Sequence, residues 1–167
     1  IKTAMYYQKP LVSVLIPNYN HGIYLRERIE SVLNQDYDNF EVIILDDCSY
    51  DNSREIISQY SGREHVREIV FNSKNSGNTF VQWDKGVQKT FGKYIWIAES
   101  DDSCDSAFLE TMVKEITRRK GSVMAFCRSM CIDEKNRELG LHANQESMDG
   151  RFRMKGEIGR ASCRERV

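Results

Sequence analysis

Three acidic residues directly follow an apolar segment in the middle of this chain. Residues 94–98 have the length and the aromatic and β-branched content of a buried strand, and Glu99, Asp101 and Asp102 come next. Ligands of open α/β sheets bind beyond the carboxyl ends of the strands, and Mg²⁺ and Mn²⁺ prefer carboxylate oxygens. A helix cap is the alternative, but one acid suffices for a cap and clustered acids repel one another. We therefore predict that these acids hold a divalent cation, Mg²⁺ or Mn²⁺.

Two further predicted strands end in polar residues. Residues 11–16 are followed by the letters PNYN, and residues 40–45 are followed by DDCS. The carboxyl ends of parallel strands share one edge of a sheet, so these residues are expected to lie near the three acids. There, Tyr19 can stack on a nucleobase, a carboxylate can accept a hydrogen bond from a base N–H or a ribose hydroxyl, and a metal-bound acid can meet a diphosphate. Ordinary turns of Asn, Asp and Ser remain the alternative interpretation of each segment.

The elements that would position these residues alternate along the chain. Between the apolar segments, apolar residues recur at helical spacing, which predicts helices over about 23–34, 53–60, 80–91 and 108–120. Strands are predicted over residues 11–16, 40–45, 68–71, 94–98 and 122–127. This order predicts an α/β fold of a single domain, in which a mostly parallel central sheet is flanked by helices.

Composition excludes several classes of protein. The 167 residues include 24 Lys and Arg against 25 Asp and Glu, so no overall positive charge attracts nucleic acid. No apolar run approaches the roughly 20 residues that span a bilayer. The five cysteines are odd in number and form no C-x-x-C pair, which favours reduced thiols. We expect a cytoplasmic protein without a transmembrane segment or a nucleic-acid partner; peripheral contact with a membrane is compatible with this composition.

Familiar phosphate-binding loops are absent from the sequence. Neither G-x-x-x-x-G-K-[ST] nor G-x-G-x-x-G follows the first predicted strand. Because few glycines are available to bring the backbone close to a phosphate, a cation would have to supply most of the neutralising charge. This gives Asp101 and Asp102 more weight as site residues.

Several of these segments together resemble a known family. The order and spacing of the motifs over residues 10–133 are similar to those of family 2 glycosyltransferases with the GT-A fold. The motifs are VSVLIPNYN (12–20), SVLNQDY (31–37), EVIILDDCSYDNS (41–53), NSG (75–77) and GKYIWIAESDD (92–102). The resemblance implies inverting transfer of a sugar from a nucleotide-sugar donor, with a UDP-sugar as the favoured donor, to a saccharide or lipid-linked acceptor in polysaccharide or glycan biosynthesis.

The resemblance also implies roles for individual residues. Pro17, Tyr19 and Asp47 match the residues that bind the nucleotide base, and Asp101 matches the acid on the ribose and diphosphate side. Asp102 matches the metal ligand. Glu99 replaces the first acid of the family's D-x-D-type motif, which makes Glu99 a second candidate ligand.

The acceptor side is the incomplete part of this interpretation. Inversion requires a general base for the acceptor hydroxyl, and neither His142 nor Glu157 has a convincing setting for that role. We expect a truncated catalytic domain with an extension (1–10), a nucleotide-sugar-binding core (11–133), a partial acceptor-side region (134–157) and a tail (158–167) that is disordered or expression-derived. The alternatives are a nucleotide-binding fragment without transferase activity and, more remotely, a nucleotidyltransferase or a phospho-receiver module.

Overall fold

Alternating strands and helices build most of the chain. The computed structural model describes residues 9–118, 121–127, 129–133, 137–141 and 164–166. Its helices are α1 (Gly22–Leu33), α2 (Ser53–Ser58), α3 (Thr79–Val87) and α4 (Phe108–Arg118). Its strands are β1 (Val12–Asn18), β2 (Phe40–Asp46), β3 (Val66–Phe71), β4 (Tyr94–Ile97), β5 (Met130–Ile132), β6 (Glu138–Leu141) and β7 (Arg164–Arg166).

The central sheet is parallel throughout. Its four strands lie in the order β3-β2-β1-β4, so β1 pairs with β2 on one side and with β4 on the other. Asn18 pairs with Asp46 at the carboxyl end of the sheet, and Leu15 pairs with Ile97 nearby. The register therefore brings the polar segments after β1, β2 and β4 to one edge. The predicted α/β class with a mostly parallel sheet is confirmed.

Both faces of the sheet are covered, which explains why β1 and β2 are apolar without alternation. All residues of β1 and β2 are buried. One face packs Val14 and Ile44 with residues of α1, α2 and α4. Helix α3 covers the other face, where a Cβ atom on Gly86 would lie 2.9 Å from Leu15 Cδ1 and 3.0 Å from Leu45 Cδ1. A glycine at this position lets α3 lie close to the sheet.

The predicted fifth strand is wrong. Residues 122–127 adopt no regular secondary structure, and Val123 is 91% exposed. Strand β5 instead begins at Met130 and forms a separate three-stranded sheet, antiparallel to β6 and parallel to β7. An apolar run becomes a strand only where a neighbouring strand offers hydrogen bonds and a packing surface, and the sequence of residues 122–127 does not encode that neighbour.

Parts of the predicted organisation fall outside the described residues. His142, Glu157 and the extension up to residue 8 are among them, and the predicted tail is described only as the backbone of β7. The proposed domain boundaries therefore stay predictions. Among the helices that the structure does describe, none combines the length and the apolarity that crossing a bilayer requires.

Candidate nucleotide-sugar site

A cavity of about 320 Å³ opens at the carboxyl edge of the central sheet. Pro17 and Tyr19 line it after β1, Asp47 lines it after β2, and Glu99 lines it after β4. Its remaining walls come from the segment before α3 and from α3 itself. Four of the six predicted site residues thus surround one space, whereas Asp101 and Asp102 do not line it.

Hydrogen bonds join the turn after β1 to the turn after β2. The Asn18 side chain donates to Asp46 Oδ1 (2.8 Å) and to Ser49 Oγ (3.2 Å). Ser49 Oγ in turn donates to Asp46 Oδ1 (2.6 Å), so the three side chains form a closed network. Tyr19, next to this network, is 43% exposed and meets the Tyr50 ring edge to face at 6.2 Å. The network holds the backbone at Tyr19 while leaving part of its ring free to contact a ligand.

The Asp47 carboxylate accepts hydrogen bonds from the segment between β3 and α3 and from α3 itself. Its donors are Asn72 Nδ2 (2.7 Å), Ser76 Oγ (2.7 Å), the Ser76 backbone N–H (3.0 Å) and Gln82 Nε2 (2.9 Å). The Asn75 side chain also donates to the Asp47 backbone oxygen at 3.1 Å. Asp47 therefore anchors the segment before α3, and its carboxylate already has about the four hydrogen bonds that it can accept.

The acids after β4 differ in their surroundings. Glu99 is half-buried and lines the cavity, and Asp101 is half-buried outside the lining. Ser100 Oγ lies 2.8 Å from His21 Nδ1, which connects this loop to the residue before α1. Of the three acids, Glu99 is best placed to meet a ligand in the cavity.

Asp102 is buried against an arginine that the sequence analysis did not identify. Arg28, on α1, is 1% exposed, and its Nη2 lies 3.4 Å from Asp102 Oδ2. Its Nε donates to the Glu99 backbone oxygen at 2.7 Å, and its guanidinium lies 5.8 Å from the centre of the Trp96 ring. Arg28 thus offsets the charge of Asp102 and holds the backbone of the loop that carries Glu99.

The position of Arg28 in the sequence indicates that it is buried. It occupies the same helical stripe as Leu25, Ile29 and Val32, all of which are buried. A basic residue in an apolar stripe is buried with it, and a buried cation requires an anionic partner. The acidic segment after β4 was the available partner, but its proximity to α1 depends on the tertiary fold.

The thiol beside this pair is held in its neutral form. Cys104 follows the acidic segment, and its Sγ lies 3.5 Å from the Ser31 backbone oxygen on α1. Burial raises the pKa of the Cys104 thiol, and the positive charge of Arg28 opposes this effect without cancelling it. Cys104 therefore adds no further negative charge to the acidic region at neutral pH.

The divalent cation predicted from the sequence would be shared between the carboxylates at this edge and the phosphates of a bound ligand. Among the described residues, no three His, Cys, Asp or Glu side chains form a group that would hold an ion by themselves. Mg²⁺ is commonly bound by one or two carboxylates together with substrate phosphates. Glu99 at the cavity wall, with Asp101 two residues away, matches that kind of site.

Comparison with known proteins decides the family. The family model described as "Glycosyl transferase family 2" matches residues 13–163. The chain belongs to this family. Among the relatives of this family 2 glycosyltransferase chain, glycosyltransferase GlyG of Streptococcus pneumoniae is 32% identical over 142 residues, covering 85% of the chain and 42% of GlyG. Poly(ribitol-phosphate) beta-N-acetylglucosaminyltransferase TarP of Staphylococcus aureus is 35% identical over 105 residues, covering 60% of the chain and 31% of TarP.

Solved structures support the fold of this family 2 chain. S. aureus TarS (residues 1–349) in complex with UDP-GlcNAc matches with a TM-score of 0.60 at 23% identity, covering 73% of the chain and 34% of TarS 1–349. The mannosyltransferase PcManGT from Pyrobaculum calidifontis, in complex with GDP-Man and Mn²⁺, also has a TM-score of 0.60, at 19% identity, covering 76% of the chain and 36% of PcManGT. The predicted GT-A fold is confirmed. The chain spans less than half the length of the curated relatives and solved structures described here.

Proposed function

We propose that the cavity binds a nucleotide-sugar and that the protein transfers the sugar to an acceptor hydroxyl with inversion. The observation that carries the proposal is the gathering of Pro17, Tyr19, Asp47 and Glu99 around one cavity at the carboxyl edge of the sheet. The Tyr19 ring lies at one wall, where a flat base can stack, and the Glu99 carboxylate lies at another, where a divalent cation could join it to an anionic diphosphate. Membership of family 2 supports the reaction class.

The base is proposed to lie between the segments after β1 and β2. The partly exposed Tyr19 ring offers a stacking face, and Pro17 and Asp47 line the adjacent walls. A UDP-sugar remains the proposed donor: TarS is described with UDP-GlcNAc, although PcManGT is described with GDP-Man.

The diphosphate is proposed to lie at the acidic edge with Mg²⁺ or Mn²⁺. When bound, the cation would stabilise the negative charge that develops on the leaving diphosphate. We propose Glu99 as a metal ligand because it lines the cavity, with Asp101 beside it on the ribose and diphosphate side. Asp102, the ligand expected from the family motif, is engaged by Arg28; direct binding by Asp102 would require it to leave that ion pair.

The acceptor hydroxyl and its general base complete the proposed reaction. A saccharide or a lipid-linked acceptor remains the proposed class. No described residue at the cavity takes the role of base in our proposal. Donor binding is therefore the step that this chain is expected to perform best.

Calorimetric titration of the chain with UDP, GDP and dTDP, each with and without Mn²⁺, tests the proposal. We expect one nucleotide to bind, with an affinity that rises at least about tenfold when Mn²⁺ is present. Glu99→Gln should remove most of that rise, whereas the control Glu64→Gln, an exposed residue in the turn before β3, should not. Failure of all three nucleotides to bind in the presence of Mn²⁺ would refute the donor site.

A further inference from the structure

Two buried amide side chains in the cavity wall lack a partner for their oxygen atoms. Asn18, at the end of β1, and Gln82, on α3, are each 3% exposed and both line the cavity. Within the part of the chain that the structure describes, neither Asn18 Oδ1 nor Gln82 Oε1 has a hydrogen-bond donor. Leaving such an atom unsatisfied disfavours the ligand-free state, and a ligand that donates to it removes this penalty.

Neighbouring carboxylates determine which way these amides point. The nitrogen of Asn18 donates to Asp46 Oδ1 at 2.8 Å, and the nitrogen of Gln82 donates to Asp47 Oδ1 at 2.9 Å. An ionised carboxylate only accepts hydrogen bonds, so rotating either amide by 180° would place two acceptors face to face. The two consecutive acids of the β2 end therefore keep both amide oxygens available as acceptors.

Gln82 is better placed than Asp47 to accept a new hydrogen bond. The Asp47 carboxylate already accepts from Asn72, Ser76 and Gln82, and a ligand would have to displace one of them. Gln82 Oε1, which is buried in the ligand-free protein, accepts no hydrogen bond from the described residues that a ligand would have to displace. Its second amide hydrogen bond, to Ser76 Oγ at 3.1 Å, further restrains the side chain.

We propose that Gln82 determines base specificity by accepting a hydrogen bond from a ring N–H of the nucleobase, with Asp47 as the positioning residue that orients it. The inference rests on the proposed donor site. It selects bases with a ring N–H beside a carbonyl, namely uracil, thymine and guanine. Cytosine and adenine carry an unprotonated ring nitrogen at the equivalent position, which would bring two acceptors together and weaken binding.

The experiment compares bases of equal size in matched variants. Dissociation constants for UDP, CDP, GDP and ADP with Mn²⁺ are measured by calorimetry for the wild type, Gln82→Met and Gln88→Met. Methionine keeps the length of the side chain and removes both the oxygen acceptor and the nitrogen donor of the amide. Gln88 is an exposed residue at the end of α3, where its amide contacts only Asp84 among the hydrogen bonds described, so it controls for the same substitution outside the cavity.

We expect the wild type to bind UDP more tightly than CDP, or GDP more tightly than ADP, by at least about tenfold. In Gln82→Met this preference should fall by about 3- to 10-fold, the worth of one hydrogen bond, while Gln88→Met keeps it. An unchanged preference in folded Gln82→Met overturns the role of Gln82 and leaves the donor site standing. Should that variant not fold, the wild-type ratios decide: equal affinities within each pair overturn the inference. Absence of binding by all four overturns the donor site and this inference with it.

Discussion

Replacing Arg28 with methionine should destabilise the protein severely. The change leaves Asp102, whose side chain is 6% exposed, without its arginine partner, and it removes the 2.7 Å hydrogen bond to the Glu99 backbone oxygen. Removing one partner of a buried ion pair typically costs about 3–5 kcal/mol, because the remaining charge stays buried after losing that partner. That is a large share of the roughly 5–15 kcal/mol by which a domain of this size is stable.

The double variant Arg28→Met/Asp102→Asn separates charge from packing. Because it removes both charges, we expect it to recover at least half of the loss. Urea unfolding is followed by tryptophan fluorescence, since Trp96 lies beside the guanidinium and reports on this region. Arg26→Met is the matched control: Arg26 is exposed on the same helix, contacts Gln59 at the surface, and should change stability by less than about 0.5 kcal/mol.

Two results would refute this reasoning. A loss below about 1 kcal/mol in Arg28→Met would place the pair in an environment as well solvated as the surface. A double variant no more stable than Arg28→Met would mean that lost packing, rather than the buried Asp102 charge, causes the effect. The same data bear on Asp102→Asn as a metal-site variant, because that change also disturbs the partner of a buried arginine.

Two further predictions concern the scaffold. Burial and the hydrogen bond to Glu30 raise the pKa of Tyr60 to about 12. Because the Tyr60 hydroxyl has a pKa near 10 in the unfolded chain, the free energy of unfolding should fall as the pH rises from about 10 towards 12. Urea unfolding at alkaline pH should show a smaller fall in Tyr60→Phe. Gly86→Ala would bring a methyl group within 3.0 Å of Leu15 and Leu45, and it should lower the free energy of unfolding, measured with urea, by about 1–3 kcal/mol. An unchanged urea midpoint would mean that both leucines move aside freely.

The predicted site was partly visible in the sequence because strand ends mark the edge where ligands bind. The segments after three predicted strands supplied Pro17, Tyr19, Asp47 and Glu99, and the structure brings these four around one cavity. The sequence analysis did not identify Gln82 as a residue of the cavity wall. Only the structure shows that the Gln82 side chain is buried and that its amide nitrogen donates a hydrogen bond to Asp47.

The sequence by itself determined the local elements and their order. Apolar runs that are buried on both faces, helical periodicity and turn residues are encoded within short segments, so four strands, four helices and the polar strand ends follow from them. Pairing between distant segments is not encoded locally. Only the tertiary structure placed Arg28 against Asp102, 74 positions later in the numbering (102 − 28), and left residues 122–127 outside the sheet. The physical reason is that a buried charge and an unpaired strand both depend on a partner whose position the whole fold decides.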